Sequence, residues 1–224
     1  MHIKVWLSLG SNLGDRLAYL QSAQQALRQL STIELEQSSI YESAPWGGVA
    51  QGPFLNQVIS LHLSSDLLNV AIDTYISEDL ISKYQLDSNS WLKRRQFIQS
   101  STGYVQFIEK FMFYLLVLEL KHDRNRQTNT LRWDSRTLDL DILAIQPLPD
   151  ASRDIDSEFF HTYISQYLEL PHPRISERQF ILKPWCELAS QLYIPSLGHK
   201  LSDLCKTCPN DDSLHVYANH AQSL

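Results

Sequence analysis

Two aspartates at alternate positions, in Arg136-Thr-Leu-Asp-Leu-Asp-Ile142, give this 224-residue chain its strongest chemical signal. In a strand, residues i and i+2 share a face. Asp139 and Asp141 then point the same way, and Leu138, Leu140 and Ile142 fill the core behind them. Two carboxylates on one rigid face repel each other unless a cation sits between them. Oxygen-only ligation suits Mg²⁺, which takes one or two carboxylates plus substrate phosphates. A strand end with two solvated acids has the same pattern, so the neighbouring residues decide. Residues 121–136 hold Lys121, Arg124, Arg126, Arg132 and Arg136 against Asp123 and Asp134, a net +3 in a chain of net charge −6. Arginine forks match phosphate oxygens. A basic loop beside a carboxylate pair is what a Mg-nucleotide site requires. An exposed loop pairing with an acidic surface also fits this composition. Trp133 is out of place on a purely solvated loop and suits covering a ligand or anchoring the segment.

A second cluster suits a flat polar ring. Ser43 to Gly48 is a loop by its Pro and Gly content, and it contains Trp46. The strand after it places Phe54 and Asn56 on one face, for stacking and for amide hydrogen bonds. Ordinary core and turn residues would read the same way. Gly10-Ser-Asn-Leu-Gly14 is a tight strand-to-helix turn, and neither a Walker A pattern nor GxGxxG is present. Cys205-Lys-Thr-Cys208 is a single CxxC with no second pair, which reads as incidental thiols.

These residues need elements to position them. Residues 3–9 alternate as a strand, and Asp15 is placed to cap a helix through Leu20, Ala23, Leu27 and Leu30. Strands follow at about 33–42, 54–63 and 137–145. Helical spacing covers 67–86, 104–121 and 178–189, the last around Pro184. Lys93-Arg94-Arg95 reads as a solvated face. The order β-α-β-β-α-β-α, with one hairpin, predicts an α+β, ferredoxin-like split β-α-β sandwich: an antiparallel sheet with helices on its faces, plus a helical excursion.

Composition excludes several classes. Hydrophobic residues at 43% and charged residues at 20% describe a globular chain. The longest apolar run, 111–118, is far short of the roughly 20 residues that span a bilayer. The N-terminal residues lack a charged segment followed by an apolar one, so no secretory leader is expected. Three sparse cysteines fit a reducing cytoplasm. Net charge −6 argues against long nucleic acid as a partner and leaves room for a small anion.

The pieces GSNLGDR (10–16), SSIYESAPWG (38–47), QGPFLNQV (51–58), RWDSRTLDLDIL (132–143) and LPHPRISERQFILKP (170–184) occur in order. Together they resemble the 6-hydroxymethyl-7,8-dihydropterin pyrophosphokinase family of folate biosynthesis. The resemblance covers about 2–68, 113–147 and 167–205. It implies a ferredoxin-like fold, ATP as co-substrate and two Mg²⁺ ions. It also implies transfer of the β,γ-pyrophosphate of ATP to the pterin hydroxymethyl oxygen, with release of AMP. By motif, Asp139 and Asp141 are the expected metal ligands. Arg124, Arg126 and Arg136 are expected on the phosphates, with Trp133 on a catalytic loop. Glu119, His172 and Arg178 are expected on the ATP side. Gly10, Ser43, Ala44, Trp46, Phe54, Asn56 and Phe180 are expected to line the pterin pocket.

The chain departs from the pattern in places. Ser43-Ala44 stands where Thr-Pro is common, which keeps the hydroxyl and loses the proline's rigidity. Phe54 replaces a common Tyr, which keeps stacking and loses a phenol. Asp123 replaces a glycine, and the arginine loop is about two residues longer. Residues 69–112 and 150–163 have no counterpart, so the expected organisation is a single domain, 1–224, with two insertions. The first is expected to be helical and to pack on its own stem, away from the Asp139/Asp141 face. The second subunit of a dimer is an alternative surface for it. The competing functions are a nucleotidyl or phosphoryl transferase using the same aspartates, a catalytically degenerate paralogue, and a ferredoxin-like RNA-binding module. The expected partners are ATP and the pterin, with no nucleic acid and no membrane.

Overall fold

In a computed structural model the described residues are 1–45, 52–75, 89–122, 135–148 and 162–218. Trp46, Arg124, Arg126 and Trp133 lie outside them, as do residues 76–88 of the longer insertion and nearly all of the second insertion.

The chain runs β1 (His2–Ser11), α1 (Arg16–Arg28), β2 (Glu36–Gln37), β3 (Ile40–Ser43), β4 (Phe54–Ser64) and α2 (Ser65–Tyr75). It continues through α3 (Asn89–Ser100), α4 (Gly103–Lys121), β5 (Asp139–Pro147) and a small hairpin, β6 (Tyr163–Ile164) with β7 (Glu169–Leu170). α5 (Gln179–Ala189), the hairpin β8 (Tyr193–Ile194) and β9 (His199–Lys200), α6 (Leu201–Thr207) and β10 (His215–Ala218) complete it.

The main sheet has the order β10-β3-β4-β1-β5, with β2 also on β4, and every described pairing in it is antiparallel. Its four principal strands lie in the order second, third, first, fourth, as the split β-α-β-β-α-β pattern requires. Asp15 caps α1 as expected: its Oδ1 accepts the Ala18 N–H at 3.1 Å. The expected strand at 33–42 is two pieces. At the break, Ser38 Oγ accepts the Val58 N–H at 3.0 Å, so a side chain takes over part of the ladder.

Each face of the sheet carries its own core. On one face Val5, Leu7 and Leu9 of β1, Leu55, Ile59 and Leu61 of β4, and Leu140 and Ile142 of β5 meet α1 and α4. α4 contributes Phe107, Ile108, Phe111, Tyr114, Leu115 and Leu118, so it takes the place of the second covering helix. On the other face Trp6, Val58, Leu143 and Ala144 pack against Ile181, Leu182 and Trp185 of α5 and Leu201 and Leu204 of α6. Among the described residues no helix is long and apolar enough to cross a membrane.

The Lys93-Arg94-Arg95 run is not a uniformly solvated face. Lys93 is exposed, but Arg94 is 8% exposed, and its Nη2 lies 3.2 Å from Oε2 of Glu109, which is wholly buried. Glu109 Oε1 also accepts from the Tyr163 hydroxyl at 2.8 Å and the Ser165 hydroxyl at 2.7 Å. The Arg94 guanidinium covers the Tyr167 ring at 4.6 Å. A carboxylate buried this deeply needs partners, and α3 supplies the cation. The same group therefore fastens α3, α4 and the β6–β7 hairpin together. Removing one member of such a pair leaves a buried, uncompensated charge. Arg94→Ala should cost about 3 kcal/mol of stability in urea denaturation. A loss below about 0.5 kcal/mol would show that the pair is not a fastening.

Candidate active site

The site is assembled by strand register. One row across the sheet reads Tyr41, Asn56, Gly10, Asp139; the next places Ser8 opposite both Val58 and Asp141. Register partners share a face, so Asp139, Asp141, Asn56, Gly10 and Ser8 all lie on the face that α5 covers further along. Gly10 and Ser8 are small, which leaves room in front of the carboxylates. A Cβ added to Gly10 would fall 3.7 Å from Asp139 Cβ and 3.8 Å from Phe54 Cδ1. The glycine thus keeps open the space between an aromatic ring and an acid.

Each aspartate has a guanidinium beside it. Arg136 Nη1 donates to Asp139 Oδ2 at 2.6 Å, and Arg178 Nη1 lies 4.0 Å from Asp141 Oδ2. Their side chains keep 16% and 35% exposure, so the oxygens reach solvent. Among the described residues no group of three or more His, Cys, Asp or Glu converges to hold a metal ion. A carboxylate pair alone fits Mg²⁺, which completes its shell with water and substrate oxygens. It does not fit a site built wholly from protein ligands.

Arg178 is the N-cap residue of α5, and its guanidinium stands 5.8 Å from the Phe180 ring. The backbone N–H of His172 donates to Leu143 O at 2.8 Å, and the ring Nδ1 accepts the Arg174 N–H at 3.2 Å. Nδ1 is therefore the acceptor, and the neutral ring carries its proton on Nε2. Burial pushes His172 below the ordinary histidine value; Asp141 pulls it up, and Arg178 and Arg174 push it down again. Burial likewise lowers Arg178, with Asp141 opposing.

Glu119, expected on the nucleotide side, is a buried acid that reaches the backbone of β5. It is 1% exposed, and its Oε1 accepts the N–H of Leu140 at 2.8 Å. Leu140 lies between the two aspartates on the outermost strand, so Glu119 braces the backbone that carries them.

Residues expected to bind the ring lie at the other end of the row. The Asn56 amide donates to Ser43 Oγ at 2.9 Å, with both residues buried, and this fixes the amide's orientation. Arg16 Nη1 donates to Glu42 Oε1 at 2.6 Å and to Pro53 O at 2.8 Å, holding β3 to the start of β4. Ala44 N–H donates to Ser213 Oγ at 2.8 Å.

Asn12 carries no chemical signal of its own in the sequence, yet it joins the two loops. Its N–H donates to Arg136 O at 3.0 Å, its Oδ1 accepts the Arg136 N–H at 2.6 Å, and its Nδ2 reaches Gly52 O at 3.4 Å. The one legible hint is its place inside Gly10-Ser-Asn-Leu-Gly14, where an amide can serve both as donor and as acceptor.

The chain matches the 7,8-dihydro-6-hydroxymethylpterin-pyrophosphokinase (HPPK) family over residues 6–94 and 88–190. It is 31% identical over 182 residues to a 2-amino-4-hydroxy-6-hydroxymethyldihydropteridine pyrophosphokinase of Mycobacterium tuberculosis, covering 81% of this chain and 70% of the relative. The enzyme of that name from Bacillus subtilis is 28% identical over 188 residues, covering 84% of this chain and 78% of the relative. The one from Porphyromonas gingivalis is 28% identical over 189 residues, covering 84% and 92%.

The His172 environment makes a prediction about pH. The folded protein holds this ring below the unfolded value of about 6.5, so the unfolded chain binds the proton more readily. Its contribution to stability is complete above about pH 6.5 and is lost as pH falls below that. The melting temperature should drop between pH 7 and pH 5.5, and His172→Gln should remove part of the drop. An unchanged profile in the variant would contradict the assigned environment.

Proposed function

The chain belongs to the 7,8-dihydro-6-hydroxymethylpterin-pyrophosphokinase family, and from that membership we propose how its residues divide the work. The protein is an ATP-dependent pyrophosphokinase of folate biosynthesis. It transfers the β,γ-pyrophosphate of ATP to the hydroxymethyl group of 6-hydroxymethyl-7,8-dihydropterin and releases AMP.

In this reading Asp139 and Asp141 hold Mg²⁺, with two ions expected. Bound there, the metal would neutralise the polyphosphate and polarise the transferred group. Arg136 and Arg178 keep the two carboxylates compatible and face the phosphates. His172, neutral and protonated on Nε2, offers a hydrogen-bond donor without adding charge. Arg124, Arg126 and Trp133 act from the segment between Lys121 and Arg136, with the arginines on the phosphates. Glu119 serves the nucleotide side through the strand it braces.

The pterin lies at the other end of the row. Phe54 and Phe180 offer ring faces for stacking, and Trp46 belongs to the same pocket. Asn56, oriented by Ser43, reads the polar edge, and Gly10 and Ala44 allow close approach. The reaction joins a primary alcohol to the β-phosphorus, so the main contribution is alignment of the two substrates. The observation that carries this reading is the shared row: Asn56, Gly10 and Asp139 face one way across three adjacent strands. It puts the ring-reading amide and the metal-type carboxylate on either side of one small residue.

We place the chain in the cytoplasm, where ATP and the reduced pterin meet; three sparse cysteines suit a reducing compartment. Neither nucleic acid nor membrane is needed as a partner. The protein is a single domain, and it works as a monomer or as a dimer joined through the 69–112 segment.

The test is AMP release with Mg-ATP and the reduced hydroxymethylpterin. Asp139→Ala and Asp141→Ala should each lower turnover by roughly a thousandfold or more while leaving the fold intact by circular dichroism. Near-normal Mg²⁺-dependent turnover in either variant would refute the metal assignment. Pyrophosphate in place of AMP would identify a nucleotidyl transfer.

A further inference from the structure

We propose that the turn at 210–213 is a positioning strut that sets the width of the pterin pocket. It links the Ala44 side of that pocket to the Phe180 side. The inference rests on the assignment of Ser43, Ala44 and Phe180 to the pterin.

The strut is a continuous chain of hydrogen bonds. Gln179 stands between Arg178 and Phe180 at the start of α5, and its Oε1 accepts the Asp211 N–H at 2.8 Å. Asp211 Oδ1 accepts from the Ser213 N–H at 3.0 Å and from the Ser213 hydroxyl at 2.5 Å. That second bond uses the only hydroxyl hydrogen of Ser213. Its oxygen is thereby turned to accept, and the Ala44 N–H donates to it at 2.8 Å. A carboxylate that orients a hydroxyl as acceptor is stronger than either contact alone. The turn is anchored at its far end as well: Leu214 N–H donates to Asp211 O at 3.0 Å, and β10 then pairs with β3, His215 opposite Glu42.

The geometry gives the strut leverage. α5 is tied to β3 at a second point, where Glu187 accepts from the Tyr41 hydroxyl at 2.5 Å and the Ser39 N–H at 2.7 Å. Gln179 and Glu187 are roughly 12 Å apart along the helix. Ile181, Leu182 and Trp185 seat α5 on the sheet, so without the turn the first residues of the helix would be held by that apolar contact and by Glu187 alone, and could shift sideways. Two attachments fix both its distance and its angle. Phe180 rides on the end that the strut restrains, so the strut acts on the pocket's width and touches neither substrate; the neighbouring Arg178 is also engaged by the sheet, its guanidinium 4.0 Å from Asp141.

The experiment is titration calorimetry of the reduced hydroxymethylpterin in the presence of a non-hydrolysable Mg-ATP analogue, with steady-state kinetics alongside. Ser213→Ala and Asp211→Ala should weaken pterin binding about five- to tenfold. KM for the pterin should rise in step, while ATP affinity and kcat change less than about threefold. Ser213→Thr keeps the hydroxyl and should restore most of the affinity. Phe180→Ala is the control for the pocket itself. If it weakens pterin binding and the two turn variants do not, the pocket stands and the strut is overturned. If Phe180→Ala has no effect, the pocket assignment fails and takes the strut with it. Equal losses for ATP and pterin, with a large fall in melting temperature, would make the turn a general support of the fold and also overturn the proposal.

Discussion

Asp139 and Asp141 point the same way from the outermost strand of the main sheet. Roughly 6–7 Å of strand separates them. At an effective dielectric of about 20, their mutual repulsion is about 2–3 kcal/mol. Much of the surrounding structure answers that repulsion. Arg136 comes in from the loop side and Arg178 from the start of α5. Neither pairing closes the carboxylates off, since both keep solvent exposure. The outcome is a strained but open charge arrangement that gains from any further cation. Glu119 braces the same strand from its outer edge, through the Leu140 N–H. The charge problem and the backbone problem meet within three residues.

The two faces of β5 are kept apart by a bulge. Leu7 lies opposite Ile142 and Trp6 opposite Ala144, so Leu143 is the extra residue. Strict alternation would put Ile145 on the same face as Leu143. The bulge returns it instead to the α1/α4 core, beside Val5. Leu143 and Ala144 both join the other core, under α5. Strand β5 can therefore carry acids at one end and serve two apolar layers at the other. His172 is attached at the Leu143 carbonyl, on the bulge itself.

Much of this was legible in the sequence, for local reasons. Alternation in β1 and β4 announces which residues face each core, and Leu55, Ile59, Leu61 and Leu63 lie on the face opposite Phe54 and Asn56. Asp15 is a local cap and reads as one. What was not legible depends on partners distant in the chain. β10 is four residues long and largely exposed, and it exists because β3 offers it an edge some 170 positions earlier. Arg94 looks like one member of a solvated basic run; only the buried Glu109 on the next helix makes it an interior residue. Asn12 and Gln179 have ordinary side chains whose value comes from the backbone groups that folding brings to them. The paired acids and the PHP segment carry their chemistry in their own spacing, whereas these residues do not.

The strand order also bears on how the chain is made. β1 is a central strand, paired on one side with β4 and on the other with β5. β4 ends at Ser64, and β5 begins some 75 residues later. At ribosomal speeds of about 10 residues per second, that interval lasts several seconds. Throughout it one edge of β1 has its N–H and C=O groups unpaired, next to an apolar face that α1, already synthesised, can begin to cover. The 69–112 segment lengthens the delay, so the nascent sheet of β3, β4 and β1 spends longer with an open flank than it would with a single short covering helix. The lifetime of that unpaired edge is thus set by the position of the first strand, and it grows with every residue placed between β4 and β5.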